Sequence, residues 1–154
     1  MFKLLALVLA LMPITSAADL PTKKWLNLEA IKTMVSAAEA EAQKRSVQVT
    51  LCIVDESGNL LYFQKADGAG INTIQFAQKK ARAAAIYGRP SKAQEDQLKS
   101  GNLQVLAYPE AFPNQGGVPI KVDGRTIGGI AASGAASEID EAIAQAGVDA
   151  ILKK

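Results

Sequence analysis

The segment around Ser133 and Gly134 holds the residues best suited to binding an anion. An extended run ends at these two residues, and an Ala-rich helical pattern follows. Small residues at a strand-to-helix turn leave backbone N–H groups free, and free N–H groups at the start of a helix attract anions. The sequence therefore predicts a ligand site at this turn. Its predicted lining also includes four glycines, Gly116, Gly117, Gly128 and Gly129.

The glycines also have a purely structural interpretation. Gly128 and Gly129 lie inside an extended run, where glycine weakens a strand unless a bulge, another backbone or a ligand comes close. A hairpin packed tightly under a helix would account for them without any ligand. The sequence leaves both interpretations open.

Basic side chains in the middle of the chain could complete the site. Lys80 and Arg82 lie on a predicted helix, Ile71–Tyr87, and could clamp a carboxylate opposite the Gly134 turn. The alternative is solvated charge near a helix C-terminus, which the helix dipole favours. An enzyme acting on a small organic acid would use Asp67 as the base, with Lys80 or Arg82 binding the carboxylate. Because no nucleophile–base pair is visible, a binding role is favoured over an enzymatic one.

The chain has no histidine and a single cysteine, Cys52. The missing histidine excludes Ser-His-Asp and Cys-His catalysis, and it excludes imidazole as a ligand for a metal ion or a haem iron. No metal site is predicted. One thiol cannot form an internal disulfide, and its position in a strand-like run predicts a small buried side chain.

The N-terminus resembles a secretory signal peptide. Lys3 precedes the apolar run Leu4–Met12, and Ser16-Ala17-Ala18 is a suitable cleavage site. The prediction is a signal peptide over residues 1–18 and one domain over residues 19–154, located in the periplasm or secreted. Cleavage removes Lys3 and no acidic residue, so the formal charge falls from +2 to +1. A nearly neutral protein suggests neither a nucleic acid nor a membrane as partner.

Helical and extended patterns alternate along the rest of the chain. A helix is predicted over Leu28–Arg45, and Trp25 is predicted to pin the preceding arm to the body. Strands over Val47–Val54 and Leu60–Lys65 form a first hairpin, in which Leu51 and Ile53 should face the helices. Asp123-Gly124 is typical of a tight hairpin turn, and it joins the second pair of strands, Val118–Val122 and Arg125–Ala132.

Three further elements complete the pattern. They are a helix Lys92–Ser100 capped by Ser91 with Gln94 in a capping box, a short strand within Leu103–Tyr108, and a last helix capped by Ser137. The resulting fold class is α+β, with one antiparallel sheet of four to five strands built from two hairpins and flanked by about four helices.

In order and spacing, these motifs resemble the GlcG/HbpS-like family, whose fold is shared with the carboxy-terminal domain of PduO-type proteins. The matching segments are Ile53 to Leu60, Asp67-Gly68-Ala69 before Lys80 to Ala84, Gly116 to Ile120, and Asp123 through Gly134 to Asp140, Ala144 and Gly147. The resemblance implies an antiparallel sheet flanked by helices, a homo-oligomer, and binding or handling of haem.

The haem-binding members of the family are generally discussed with histidine ligands, and this chain has none, so haem would have to be held by other groups. Iron could take no protein ligand, or one of Tyr87, Tyr108, Met34, Lys80 and Cys52. Propionates could pair with Lys80, Arg82 and Arg89. The predicted function is therefore an exported small-molecule-binding protein of this type, for haem or another anionic ligand. The alternatives are the small-acid enzyme and a structural subunit that oligomerises through its Ala-rich helix Ile71–Tyr87.

Overall fold

A four-stranded antiparallel sheet, in the order β2-β1-β4-β3, forms the centre of the protein. The computed structural model describes residues 18–152, so nearly all of the predicted signal peptide lies outside the described residues. Two hairpins supply the strands, and β1 pairs with β4 to join them, which confirms the α+β prediction. The elements are α1 (Leu28–Lys44), β1 (Thr50–Asp55), β2 (Leu60–Lys65), α2 (Thr73–Tyr87), α3 (Lys92–Lys99), a 3-10 helix (Leu103–Ala107), β3 (Gly117–Val122), β4 (Arg125–Ser133) and α4 (Ser137–Leu152).

Helices cover both faces of the sheet. Leu51 and Ile53 point into the larger core, which α1 and α4 complete, as the alternation of the first strand predicts. Gly147 lies where these two helices meet, and a Cβ there would come within 3.0 Å of the carbonyl oxygen of Met34. Within residues 18–152, none of the helices combines the length and the apolar composition needed to cross a membrane.

The opposite face of the sheet is covered by α2. Cys52 and Val54 pack there against the alanines of this helix, including Ala77 and Ala81. These small side chains let the helix lie very close to β4. The alanine stripe is therefore buried inside the subunit, and its alanines are not available as an oligomer face.

The first strand begins at Thr50, three residues later than the sequence pattern predicts. The end of α1 explains the difference. Ser46 adopts φ +55°, its N–H donates to the carbonyl of Gln43, and the N–H of Val47 donates to that of Ala42. This pair of bonds is a Schellman motif, which satisfies carbonyls at the end of the helix and uses Val47, the residue at which the alternation started the strand.

Ser91, just before α3, and Gln94, within it, bind a neighbouring loop and do not cap the helix. The hydroxyl of Ser91 donates to the carbonyl of Asn114 at 2.7 Å and accepts from the N–H of Gly117 at 2.9 Å. Gln94 accepts from the N–H of Phe112 at 2.8 Å. The predicted capping box is therefore absent, because both side chains bind the segment that leads into β3.

Three other local predictions are wrong. The segment predicted to contain a strand at Leu103 forms a 3-10 helix, whose cap is the side chain of Asn102 accepting from a backbone N–H. Ser137 is the first helical residue of α4, and the carbonyl of Ala136 accepts the first bonds of that helix. Trp25 is 69% exposed, and the neighbouring Leu26 is buried and fixes the arm.

Candidate functional site

A recess of about 320 Å³ opens at the turn between β4 and α4. Ser133, Gly134 and Ser137 line it from the turn, and Thr73 and Lys80 line it from α2. The structure thus brings together three residues that the sequence predicts for the site, namely Lys80, Ser133 and Gly134.

A buried ion pair lies beside the recess. The ammonium of Lys80 donates to Asp140 Oδ2 at 2.9 Å, and both side chains are 2% exposed. Lys80 also donates to the carbonyl of Ala132 at 3.4 Å, so one of its three N–H groups is left over. The second carboxylate oxygen accepts from the N–H of Ala135 at 3.0 Å, which fixes the turn. The charge of Lys80 is thereby offset at close range.

Several polar groups of the recess lack a partner among the described residues. The side chain of Ser133 is one of them, although the residue is only 3% exposed. Alternation along β4 places it on the same face as Ala131, which packs under α2. The first helical amides, those of Ser137 and Glu138, have no acceptor within α4, and of these two residues Ser137 lines the recess. Hydrogen-bond donors therefore converge on this small space.

The glycines of β3 and β4 serve close packing. A Cβ on Gly128 would lie 2.4 Å from the carbonyl oxygen of Val54, and one on Gly129 would lie 2.4 Å from that of Ala81. Neither glycine lines the recess. Gly128 and Gly129 therefore have the structural role, since they let the hairpin pack closely against its neighbours.

The other glycine pair fits against Lys80. A Cβ on Gly116 would lie 2.8 Å from its ammonium nitrogen, and one on Gly117 would lie 2.2 Å from its carbonyl oxygen. Gly116 has φ +126°, a conformation that favours glycine. These residues do not line the recess, but they make room for the buried ion pair next to it.

Arg82 points away from the recess, because two residues along a helix turn the side chain by about 200°. Its guanidinium donates to both carboxylate oxygens of Glu110, at 2.9 and 3.0 Å, and to the carbonyl of Gly58 at 2.6 Å. The hydrogen bonds within this pair raise the pKa of Arg82 and lower that of Glu110. Arg89 lies over the ring of Tyr87, so the predicted cationic clamp is not assembled in one place.

Asp67 also lies apart from the recess. It is exposed in the loop before α2, and it is not among the lining residues. The structure therefore does not place the proposed base next to Lys80 in a shared pocket.

Four of the five side chains considered for haem iron, all except Tyr108, are buried or paired elsewhere. Cys52 and Met34 are fully buried in the two cores, and burial raises the pKa of the Cys52 thiol to about 12. The hydroxyl of Tyr87 donates to the carbonyl of Pro109. Over residues 18–152 there is no cluster of three cysteines or carboxylates that could hold a metal ion. The small polar recess consequently does not fit an iron-ligated haem.

A second cavity has a different character. This groove, of about 460 Å³, lies beside the N-terminal arm, and its walls include Trp25, Leu26, Ile127 and Ile151. Lys24 stands at its edge, in an exposed pair with Asp123 at 2.7 Å. The apolar walls suit a flat hydrophobic ring system, and Lys24 suits a carboxylate, but none of these side chains is a usual ligand of haem iron.

The role of Asp140 was not predicted, although the sequence contains a signal for it. Asp140 precedes Ile143, Ala144 and Gly147 by three, four and seven residues, so it lies on the buried stripe of α4. Lys80 has the same relation to the buried alanines of α2. Two opposite charges on buried stripes predict a buried ion pair, since isolated charges are too costly to bury.

Comparison with known proteins agrees with this architecture. Residues 26–149 match the family model described as "Haem degrading protein HbpS-like". The chain is 31% identical to the protein GlcG of Escherichia coli strain K12 over 112 residues, which cover 73% of this chain and 84% of GlcG.

Solved structures show the same fold. A double mutant of HbpS from Streptomyces reticuli aligns with a TM-score of 0.80 and 29% identity, covering 94% of this chain and 99% of that one. A complex of PduOC with haem aligns with a TM-score of 0.77 and 27% identity, covering 84% and 96%. The chain therefore belongs to the HbpS-like family.

Proposed function

We propose that the protein is an exported binding protein that takes a small anionic molecule in the recess at the β4–α4 turn. The observation that carries this proposal is the convergence of unpartnered donors there. The hydroxyl of Ser133, a residue only 3% exposed, and the first amide of α4, at Ser137, belong to the lining of a recess that Lys80 also lines. Donors that find no partner within the protein are suited to a ligand that accepts from them.

Export is supported by the N-terminal sequence. A basic start, a short apolar run and the small residues Ser16-Ala17-Ala18 favour cleavage before Asp19. The full-length chain should be expressed in a bacterial host and recovered from the periplasmic fraction. An intact mass that corresponds to residues 19–154 is expected. An uncleaved chain that stays in the cytoplasmic fraction would contradict this part of the proposal.

Haem is the ligand that the family description and the PduOC–haem complex suggest. In this chain the apolar groove offers walls for the macrocycle and Lys24 for a propionate, and the recess offers neither. We therefore place haem, as a second candidate ligand, in the groove. There the protein would bind the organic part of the group and leave the iron without a side-chain ligand.

Hemin titration followed through the Soret band separates the two sites. If haem binds in the groove, Trp25→Ala should weaken binding, and Ser133→Ala should leave it unchanged. No saturable spectral change would remove haem as a ligand. Native mass spectrometry of protein purified from its own periplasm would then test the recess, because a bound small anion adds mass that Ser133→Ala should remove. Native protein without added mass, and without binding to any small anion, would contradict the binding function.

A homo-oligomer is a further part of the proposal, and its basis is now the family resemblance alone. Sedimentation of the mature protein tests it directly. A monomer at micromolar concentration would contradict it. The enzymatic alternative is less well supported, because Asp67 lies outside the recess that contains Lys80.

A further inference from the structure

We infer that the recess selects a small monocarboxylate over a dianion such as phosphate and over haem; this inference rests on the proposed function of the same site. The charge of the recess lining favours a monoanion. Lys80 and Asp140 are the only ionisable side chains among the described residues that line the recess, and they neutralise each other at 2.9 Å. What remains is the positive end of α4, which is equivalent to about half an elementary charge. This field suits one negative charge and leaves a second one uncompensated.

The available donors match a carboxylate. They include the hydroxyl of Ser133, the first amide of α4 at Ser137 and the remaining N–H of Lys80, and the side-chain amides of Asn72 and Asn114 also line the recess. A carboxylate has two oxygens with about four acceptor positions, which these donors can fill. The helix end is supported here by an independent feature, because Ser133 is a residue only 3% exposed and its hydroxyl has no partner among residues 18–152.

Size points in the same direction. The recess of about 320 Å³ lies at the lower end of the range, about 300–1,000 Å³, that ligand pockets occupy. Phe76 forms part of its wall and provides an apolar contact for a short carbon chain. A molecule with one carboxylate and a few carbons fits this combination.

Asp140 has a second role besides fixing the turn. Its carboxylate keeps the full charge of Lys80 from acting on the ligand. Asp140→Asn retains an oxygen that can accept from the N–H of Ala135, and it removes the negative charge. In this variant the ammonium of Lys80 becomes available, so affinity for phosphate should rise relative to affinity for a carboxylate by tenfold or more.

The experiment is a titration of the ¹⁵N-labelled mature protein with acetate, propionate and inorganic phosphate. The two carboxylates should shift the amide signals of Ser137 and Glu138 saturably, and phosphate should bind more weakly. Ser133→Ala should reduce the carboxylate affinity about tenfold, because one hydrogen bond to a charged group is lost. Ser36→Ala, an exposed serine on α1, is the matched control and should bind as the wild type does.

The outcomes distinguish the inference from the proposed function. Equal carboxylate binding by wild type and Ser133→Ala would overturn the inference, as would tighter binding of phosphate by the wild type. If the carboxylates leave these amides unchanged but another anion shifts them, the inference is wrong and the binding function stands. If no anion shifts them, both are wrong. Should Asp140→Asn fail to fold, the Ser133→Ala comparison still decides the matter.

Discussion

Replacing Lys80 with methionine tests whether the ion pair at the recess is buried as the structure shows. Methionine retains most of the apolar stem, so the main loss is the cation that faces Asp140. The carboxylate is 2% exposed and keeps only the N–H of Ala135 as a partner. Removing one partner of such a buried pair costs about 3–5 kcal/mol. This is a large part of the free energy of unfolding of a domain, which is about 5–15 kcal/mol.

Urea denaturation followed by circular dichroism measures this loss as a lower midpoint at unchanged slope. Lys32→Met is the control, because Lys32 is exposed on α1, and its replacement should change the free energy of unfolding by less than about 0.5 kcal/mol. The double variant Lys80→Met, Asp140→Asn should be more stable than Lys80→Met alone, since it no longer leaves a charge unpaired. If Lys80→Met lowered the free energy of unfolding by less than about 1 kcal/mol, the reasoning would be refuted, because removing one partner of a buried ion pair leaves the other charge unpaired in the interior.

Three further predictions concern the fold. Gly129→Ala places a Cβ 2.4 Å from the backbone of α2 and should lower the free energy of unfolding, measured in urea, by at least about 3 kcal/mol. Gly68→Ala is the control, because its Cβ meets only a flexible side chain, and it should lower this free energy by less than about 1 kcal/mol. Similar losses for the two variants would contradict the close packing. Because the pKa of Cys52 is raised, the thiol loses its proton in the unfolded chain at a lower pH than in the folded chain. Between the ordinary pKa of 9.0 and about 12, the free energy of unfolding of the wild type should therefore fall by about 1.4 kcal/mol per pH unit relative to Cys52→Ala. Parallel pH profiles for the two proteins would show that the thiol is not buried. Trp25→Ala should leave the melting temperature nearly unchanged. Leu26→Ala should lower the melting temperature and reduce the free energy of unfolding by about 2 kcal/mol, because only Leu26 is buried. The reverse order would indicate that Trp25 anchors the arm.

The fold class followed from local signals that need no tertiary context. The Asp123-Gly124 turn and the two flanking runs define the second hairpin, and the structure confirms it from Gly117 to Ser133. Periodicity likewise located α1, α2, α3 and α4 to within about two residues. Errors arose where side chains or backbone groups found partners outside their own element. Ser91 and Gln94 bind the loop before β3, and a helix-ending motif replaces the start of the predicted first strand.

The candidate site was partly predictable, because Ser133 and Gly134 stand at a strand-to-helix turn whose chemistry is local. Lys80 and Arg82 look equivalent in the sequence, two residues apart on one helix. Their environments differ because helix geometry directs Lys80 toward Asp140 and Arg82 toward Glu110. Which partner each cation meets depends on how α2 lies on the sheet.

The sequence by itself determined the elements, the hairpin pairing and the absence of histidine chemistry, because these depend on residue types and short-range spacing. Only the tertiary structure decided which polar groups remain free. Lys80 and Asp140 are 60 residues apart and cancel each other only after α2 and α4 pack on the same end of the sheet. The hydroxyl of Ser133, the residue after Ala132 on β4, is left without a partner among the described residues, and the proposal of a ligand in the recess rests on this free group.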